Sequence, residues 1–257
     1  MARMIWSEGE AGPITVTAPT REGLLRDIAR HFEEGRGFSI ATLNLDHVVK
    51  LRRDTAFRDA YSAQTHVTAD GNPIVWLSRL AGQEVSLVPG SELVEPMAAH
   101  AARAGVSVAL FGATEASLAS AADELVRRHP GLDVVLRLAP PMGFDPTGPG
   151  ADAAIEKIAA SGAGLVYLAL GAPKQEIFAA RAQTRLPGTG FLSIGAGLDF
   201  ISGAQVRAPK FVRAVAGEWL WRLAGNPRRL AARYGACAAA VPGLTARALA
   251  ARGTRAP

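Results

Sequence analysis

The chain has 257 residues, 49% of them hydrophobic, and a mean hydropathy just above zero, which describes a globular protein and excludes a disordered one. Its single cysteine, Cys237, excludes an intrachain disulfide and a cysteine zinc cluster, and no apolar run approaches the roughly 20 residues of a membrane helix. The net charge of +5 hides a split: residues 207–257 hold ten Lys/Arg against one acid, Glu218, for +9, while the rest hold 18 bases against 22 acids, for −4. A basic tail on a mildly acidic body points to a polyanionic partner, membrane or nucleic acid.

The opening residues Met1 to Glu8 lack the apolar stretch of a signal peptide, so a soluble or membrane-peripheral chain is expected. Ile14 to Val16 is predicted as a short strand. Thr20 caps a helix carrying Leu24, Leu25, Ile28 and Phe32 at helical spacing. Phe38 to Leu43 reads as a strand ending in Thr42-Leu43-Asn44, and Asp46 is expected to cap a helix with Val48, Val49 and Leu51. His66 to Ala69 is a strand running into Asp70-Gly71-Asn72-Pro73, where Pro73 suits the first turn of a helix over Ile74 to Leu80.

The middle of the chain alternates strand and helix. Val106 to Phe111, Val134 to Leu138, Leu165 to Leu170 and Phe191 to Ile194 read as strands; Glu115 to Arg128, Ala151 to Ala160 and a stretch ending at Arg185 read as helices. This spacing predicts an α/β protein: a Rossmann-like parallel sheet with helices on both faces, followed by a basic helical tail from about Pro209. The expected division is an α/β catalytic domain over 1–206 and a basic, aromatic-containing helical appendage over 207–257.

The most informative segment is Gly164 to Glu176. Six apolar residues, Leu165 to Leu170, read as a strand buried on both faces; Gly171 stops it, and Pro173 opens a helix beginning Lys174-Gln175-Glu176. In open α/β sheets ligands bind where strands turn into helices, and a helix start suits a phosphate. Polar residues also mark three other strand ends: Thr42 with Asn44, Asp70, and Asp199. Each has a plainer reading. Asn44 caps the next helix, Asp70-Gly71 is a turn pair, and Asp199 is a turn or capping residue.

Other chemistries are missing. Gly195 and Gly197 begin a dinucleotide fingerprint, but Phe200 stands at the third glycine, which counts against an oxidoreductase. No phosphate-binding Gly-Lys loop, no Gly-x-Ser-x-Gly and no metal-holding Asp-x-Asp occurs, and the five histidines, at 31, 47, 66, 100 and 129, lack ligand spacing. His47 and His66 flank candidate site loops. No nucleic-acid-binding motif accompanies the basic tail, so nucleic acid is not expected as a partner.

Taken together, Thr42-Leu43-Asn44, Asp70-Gly71 with Pro73 and Trp76, Gly90-Ser91, Pro140-Pro141 with Gly143-Phe144, and Gly171 with Pro173-Lys174-Gln175-Glu176 resemble the WecG/TagA/CpsF glycosyltransferase family. Gly195 with Asp199-Phe200 and Gly203, Arg207-Ala208-Pro209, Glu218-Trp219 with Arg222-Leu223, and Pro227-Arg228-Arg229-Leu230 extend the resemblance from about Phe38 to Tyr234.

The resemblance implies a bacterial inverting, metal-independent and cofactor-free enzyme, peripheral on the inner face of the plasma membrane. Such enzymes move a sugar from a UDP-sugar, of the N-acetylmannosamine type or glucose or a uronic acid, onto an undecaprenyl-diphosphate-linked saccharide. The products feed wall teichoic acid, capsule or exopolysaccharide. Asp70 matches the base, with Thr42, Asn44, Gly171, Lys174, Gln175, Glu176 and Asp199 as substrate-binding residues. Arg222, Arg229 and Arg233 either close over the donor diphosphate or attract an anionic membrane surface. A homo-oligomer is compatible with this.

The sequence departs from the family's usual Arg-Val-x-Gly-x-Asp-Leu, reading Leu87-Val88-Pro89-Gly90-Ser91-Glu92-Leu93, and Asn226 replaces an acid before Pro-Arg-Arg-Leu. A non-catalytic sugar-nucleotide binder and a nucleotide-dependent oxidoreductase are the competing readings.

Overall fold

The computed structural model describes residues 4–205, 209, 217–225 and 227–253, with the side chains at 218, 222, 224 and 229 outside that description. Arg207, Ala208 and Asn226, singled out above, lie outside the described residues.

A small antiparallel hairpin, β1 (Ser7–Gly9) and β2 (Gly12–Ile14), precedes a six-stranded sheet. The sheet strands are β3 (Phe38–Leu43), β4 (His66–Ala69), β5 (Val108–Gly112), β6 (Val134–Leu138), β7 (Leu165–Ala169) and β8 (Gly190–Ser193). They are all parallel, in the order β4-β3-β8-β7-β5-β6. All six β3 residues are buried, as a strand covered on both faces requires.

Helices α1 (Arg21–Glu33), α5 (Gly90–Ala104), α6 (Glu115–Arg128) and α9 (Gly197–Ile201) cover one face, meeting Phe38, Ile40, Val108, Leu110, Leu165 and Tyr167. The alternate residues of the same strands, Ala41, Leu43, Ala109, Phe111, Val166 and Leu168, point to the other face. There they meet α2 (Leu45–Leu51), α3 (Thr55–Ser62), α4 (Asn72–Leu80), α7 (Pro149–Ser161) and α8 (Lys174–Arg185).

Two tail helices follow, α10 (Glu218–Gly225) and α11 (Pro227–Gly253). The second half of α11 is built into the body: Ala240, Leu244 and Ala248 are buried in one cluster with Met4, Trp6, Ile74, Val75 and Leu77. At about 2 kcal/mol for a fully buried leucine, this anchorage fixes α11 against α2 and α4.

Most sequence-predicted elements occur within two residues of their expected bounds. The cap of α2 is a correction: Asn44, not Asp46, accepts from the backbone N–H of His47 at 3.0 Å. The first strand is also displaced, to Gly12–Ile14. The residues just after it line the outer edge of β4, where Thr17 and Ala18 N–H donate to the Val67 carbonyl. Helices α3 and α5 were not expected. Helix α5 starts without a side-chain cap and contains Pro96, which removes the N–H due to the Glu92 carbonyl. The Arg21 guanidinium donates to that carbonyl instead, at 3.4 Å. The opposite sheet edge, β6, is blunted by a register shift at Val135 and by exposed Arg137.

Candidate functional site

Because every sheet strand is parallel, their C-terminal ends share one rim. The connection from β5 leaves toward the sheet edge at β6 and that from β7 leaves the opposite way to β8, so a crevice opens between their ends. The two strands are in close contact there. A Cβ on Gly112 (φ +116°) would lie 2.4 Å from the Ala169 carbonyl carbon, and Ala113 adopts the left-handed region at φ 58°.

On the β3–β4 side the rim gathers Thr42, Asn44 and Asp70. The Asp70 N–H donates to the Leu43 carbonyl at 2.7 Å, which carries the β3–β4 pairing one residue past Ala69 and sets Asp70 beside Asn44. Gly71, at φ +112°, turns the chain next to Asn44; a Cβ there would be 3.9 Å from the Asn44 Cβ. Thr42 is buried, and α5 begins against it. A Cβ on Gly90 would sit 2.7 Å from the Ser193 carbonyl oxygen and 3.1 Å from the Thr42 methyl, so only glycine lets the start of α5 approach the ends of β3 and β8. Val88 N–H donates to the Ala69 carbonyl, which brings the segment containing exposed Leu87 to the same strand end.

Beneath Asn44 lies His47, buried among Phe57 and Tyr61. Its Nε2 is 3.3 Å from the Asn44 amide nitrogen and its Nδ1 is 3.4 Å from the Tyr61 hydroxyl. Burial lowers its pKa from 6.5 to about 3, so the ring is neutral and Nε2 can accept from the Asn44 amide. Both ends of the Asn44 amide therefore engage His47, and the plainer reading of Asn44 as a helix cap holds at a position that also borders the rim. Nothing in the residue pattern around Tyr61 singles it out.

On the β7–β8 side, Gly171 (φ +73°) and Gly195 (φ +54°) both donate their N–H to the Gln175 amide oxygen, each at 3.2 Å. The Gln175 amide nitrogen donates to a Glu176 carboxyl oxygen at 2.9 Å. Gln175 is 3% exposed and Glu176 is 0% exposed. Their side chains thus brace the two turns from below. Burial raises the Glu176 pKa from 4.5 to about 7, against the opposing pull of the Gln175 hydrogen bond and of Lys50. Lys174, the first residue of α8, is half-buried at the rim. Lys50 of α2 reaches the Ala172 carbonyl at 3.4 Å and Asp46 at 2.9 Å, tying α2 to the turn that starts α8.

Two expected site residues sit apart from these groups. Asp199, on α9, accepts from the Ser117 hydroxyl and from the Gln205 amide, both at 2.8 Å, and so joins α9 to the start of α6. Arg233, on α11, lies 3.1 Å from Asp46, so the tail is moored two residues from Asn44. Arg222 and Arg229 fall on α10 and α11, but their side chains lie outside the described residues. A shallow depression elsewhere, lined by Asp123, Arg127, Asp133 and Arg137 among apolar residues of α6 and β6, lies at the β6 edge of the sheet.

A parallel α/β sheet whose rim carries a carboxylate, hydroxyl and amide groups and glycine turns is suited to holding a sugar nucleotide. Residues 11–256 match the model of the Glycosyl transferase WecG/TagA/CpsF family, almost the whole chain, and the protein therefore belongs to this family of glycosyltransferases of cell-surface polysaccharide synthesis, which use a sugar-nucleotide donor and a lipid-linked acceptor.

Proposed function

We propose that the protein is an inverting glycosyltransferase that moves a sugar from a UDP-sugar, of the N-acetylmannosamine type or glucose or a uronic acid, to a saccharide on undecaprenyl diphosphate. The observation that carries this reading is the placement of Asp70 at the rim beside Asn44, fixed by the 2.7 Å bond from its N–H to Leu43. An acceptor hydroxyl is a weak nucleophile while protonated. A carboxylate within hydrogen-bond reach takes its proton as the new C–O bond forms and the sugar–phosphate bond breaks. Asp70 is that base. Thr42 and Asn44 orient sugar hydroxyls beside it.

The departing UDP develops negative charge, which needs N–H or cationic stabilisation. In this reading Lys174 faces the developing charge, Gly171, having no side chain, lets the donor approach the turn, and Gln175 acts through the two turns it holds. Asp199 marks the nucleotide side of the crevice, and Arg222, Arg229 and Arg233 complete the diphosphate site. Arg233 then exchanges or shares its partner Asp46 with the phosphate.

Residues 1–206 carry the base, and the basic segment 207–257, whose α11 is anchored in the body through Ala240, Leu244 and Ala248, brings its arginines and α10 to an anionic bilayer at the inner face of the bacterial membrane. Among the described residues no helix is long and apolar enough to cross a membrane. Helix α10 nevertheless exposes Trp219 (48%), Leu220 (53%) and Trp221 (47%), amphipathic and apolar anchors suited to the headgroup boundary. Each nearby arginine adds about 1 kcal/mol of attraction to an anionic surface.

The test is UDP release from a panel of UDP-sugars with a synthetic lipid-diphosphate-linked saccharide and EDTA present. Acceptor-dependent release from one donor is expected and would name the sugar. Release from none, with UDP still bound, would overturn this donor–acceptor assignment in favour of a non-catalytic binder or a different acceptor, and Leu87→Arg would then be the variant to make.

A further inference from the structure

The strongest unassigned feature of the molecule is a seam of buried polar groups under the rim. Glu176 lies at its centre. One of its carboxyl oxygens accepts from the Gln175 amide at 2.9 Å, and the other is buried with no hydrogen-bond partner among the described residues. Its backbone carbonyl accepts from Gln64, just past the end of α3, at 3.3 Å, and the same Gln64 nitrogen donates to the Ala60 carbonyl at 2.8 Å. The groups that face it are Tyr61 from α3, Lys50 from α2 and, beyond Tyr61, Asp70 from the β4–α4 turn; the charges of Glu176 and Asp70 both add to the burial that pushes the Tyr61 hydroxyl up.

A fully buried carboxyl on the first turn of a helix is costly to retain for packing alone. Its position has a specific effect. An amide side chain has one accepting and one donating end. With an acceptor at Glu176, the Gln175 nitrogen is held inward, and its oxygen is left to collect the two N–H groups of Gly171 and Gly195. Those two glycines lie two residues past the ends of β7 and β8, and both have positive φ, so neither has a side chain to brace its turn.

Building on the transferase reading, we propose that Glu176 is a positioning residue: out of the substrate's reach, it fixes the Gln175 amide and, through it, the Gly171 and Gly195 turns that face the donor. A misplacement of about 1 Å at such turns is worth on the order of 10²-fold in rate.

The experiment compares Glu176→Gln and Glu176→Leu with the wild-type protein in acceptor-dependent UDP release. The Gln variant keeps the accepting oxygen and is expected within about threefold of wild type in kcat/KM for the donor; the Leu variant, folded by circular dichroism, is expected to lose about 10²-fold. A folded Leu variant with wild-type kcat/KM would overturn the proposal, and so would a Gln variant as impaired as the Leu variant, which would assign the carboxylate itself to the chemistry. If the Leu variant fails to fold, Gln175→Leu in a Glu176→Gln background replaces it: the same loss supports the brace, and full activity refutes it. Wild-type turnover tests the transferase reading separately, and the ratios between variants test the brace.

Discussion

Replacing Glu176 or His47 with glutamine should give the folded protein opposite pH dependences of stability. Glu176 is fully buried, and its pKa is raised from 4.5 to about 7. Between those values the folded protein holds a proton that the unfolded chain has released, so the stability Glu176 contributes is complete below about 4.5 and is lost as pH rises toward 7. His47 is 6% exposed, and its pKa is lowered from 6.5 to about 3. Its contribution is complete above 6.5 and is lost as pH falls toward 3, because the unfolded chain then binds a proton that the folded protein refuses. From pH 4.5 to 6.5 the two slopes are opposite, each about 1.4 kcal/mol per pH unit, so in the wild-type protein they cancel. Removing one exposes the other. Measured by urea unfolding at pH 4.5 and 6.5, the stability of Glu176→Gln relative to wild type should rise by about 3 kcal/mol across that range. That of His47→Gln should fall by about 3 kcal/mol. The comparison with wild type removes every other titrating group. A change smaller than about 1 kcal/mol in either difference would refute the burial argument for that residue.

Gly90→Ala puts a methyl 2.7 Å from the Ser193 carbonyl oxygen and 3.1 Å from Thr42. It should cost about 1–3 kcal/mol in denaturant unfolding and weaken UDP binding as α5 is pushed off the rim. Leu244→Ala, at a fully buried position, should cost about 2–5 kcal/mol in one cooperative transition; a small separate transition would mean that α11 unfolds independently of the body. The double variant Trp219→Ala, Trp221→Ala should release the protein from anionic vesicles in co-sedimentation while still unfolding in one cooperative transition, at a cost of about 1 kcal/mol for the lost Trp219–Tyr234 ring contact, and undiminished sedimentation would remove α10 from the membrane-binding role.

The sheet was legible because its strands are short, mostly apolar runs bounded by glycine and polar residues. Phe38–Leu43 and Val134–Leu138 have the bounds their composition predicts. Helix α5 was not legible because its start rests on a glycine fitted against Ser193 and Thr42, and its Pro96 on a carbonyl served by Arg21 more than 70 residues away. Both are tertiary facts. Site residues divide the same way. Asp70, Gly171 and Lys174 stand at strand ends, where the pattern alone marks them. The burial of Gln175 and Glu176 beneath the turns, and the placing of Tyr61 and Lys50 next to them, depend on how α2, α3 and α8 pack together. Asn44 satisfied the capping rule that its spacing to His47 allows, and the rim position came with it. The tail was read from charge, which describes its surface. The apolar residues that anchor it, Ala240, Leu244 and Ala248, recur at helical spacing within an alanine-rich stretch where small size masks the pattern.

The claim on which the mechanism stands is that Asp70 takes the acceptor's proton. The measurement that tests it is acceptor-dependent UDP release by Asp70→Asn beside wild type, with UDP affinity measured calorimetrically on the same preparations. The account predicts UDP binding within about threefold of wild type and transfer reduced by at least about 10²-fold, since an amide of the same shape accepts no proton. Transfer near the wild-type rate, with binding intact, would contradict it and place the base elsewhere on the rim.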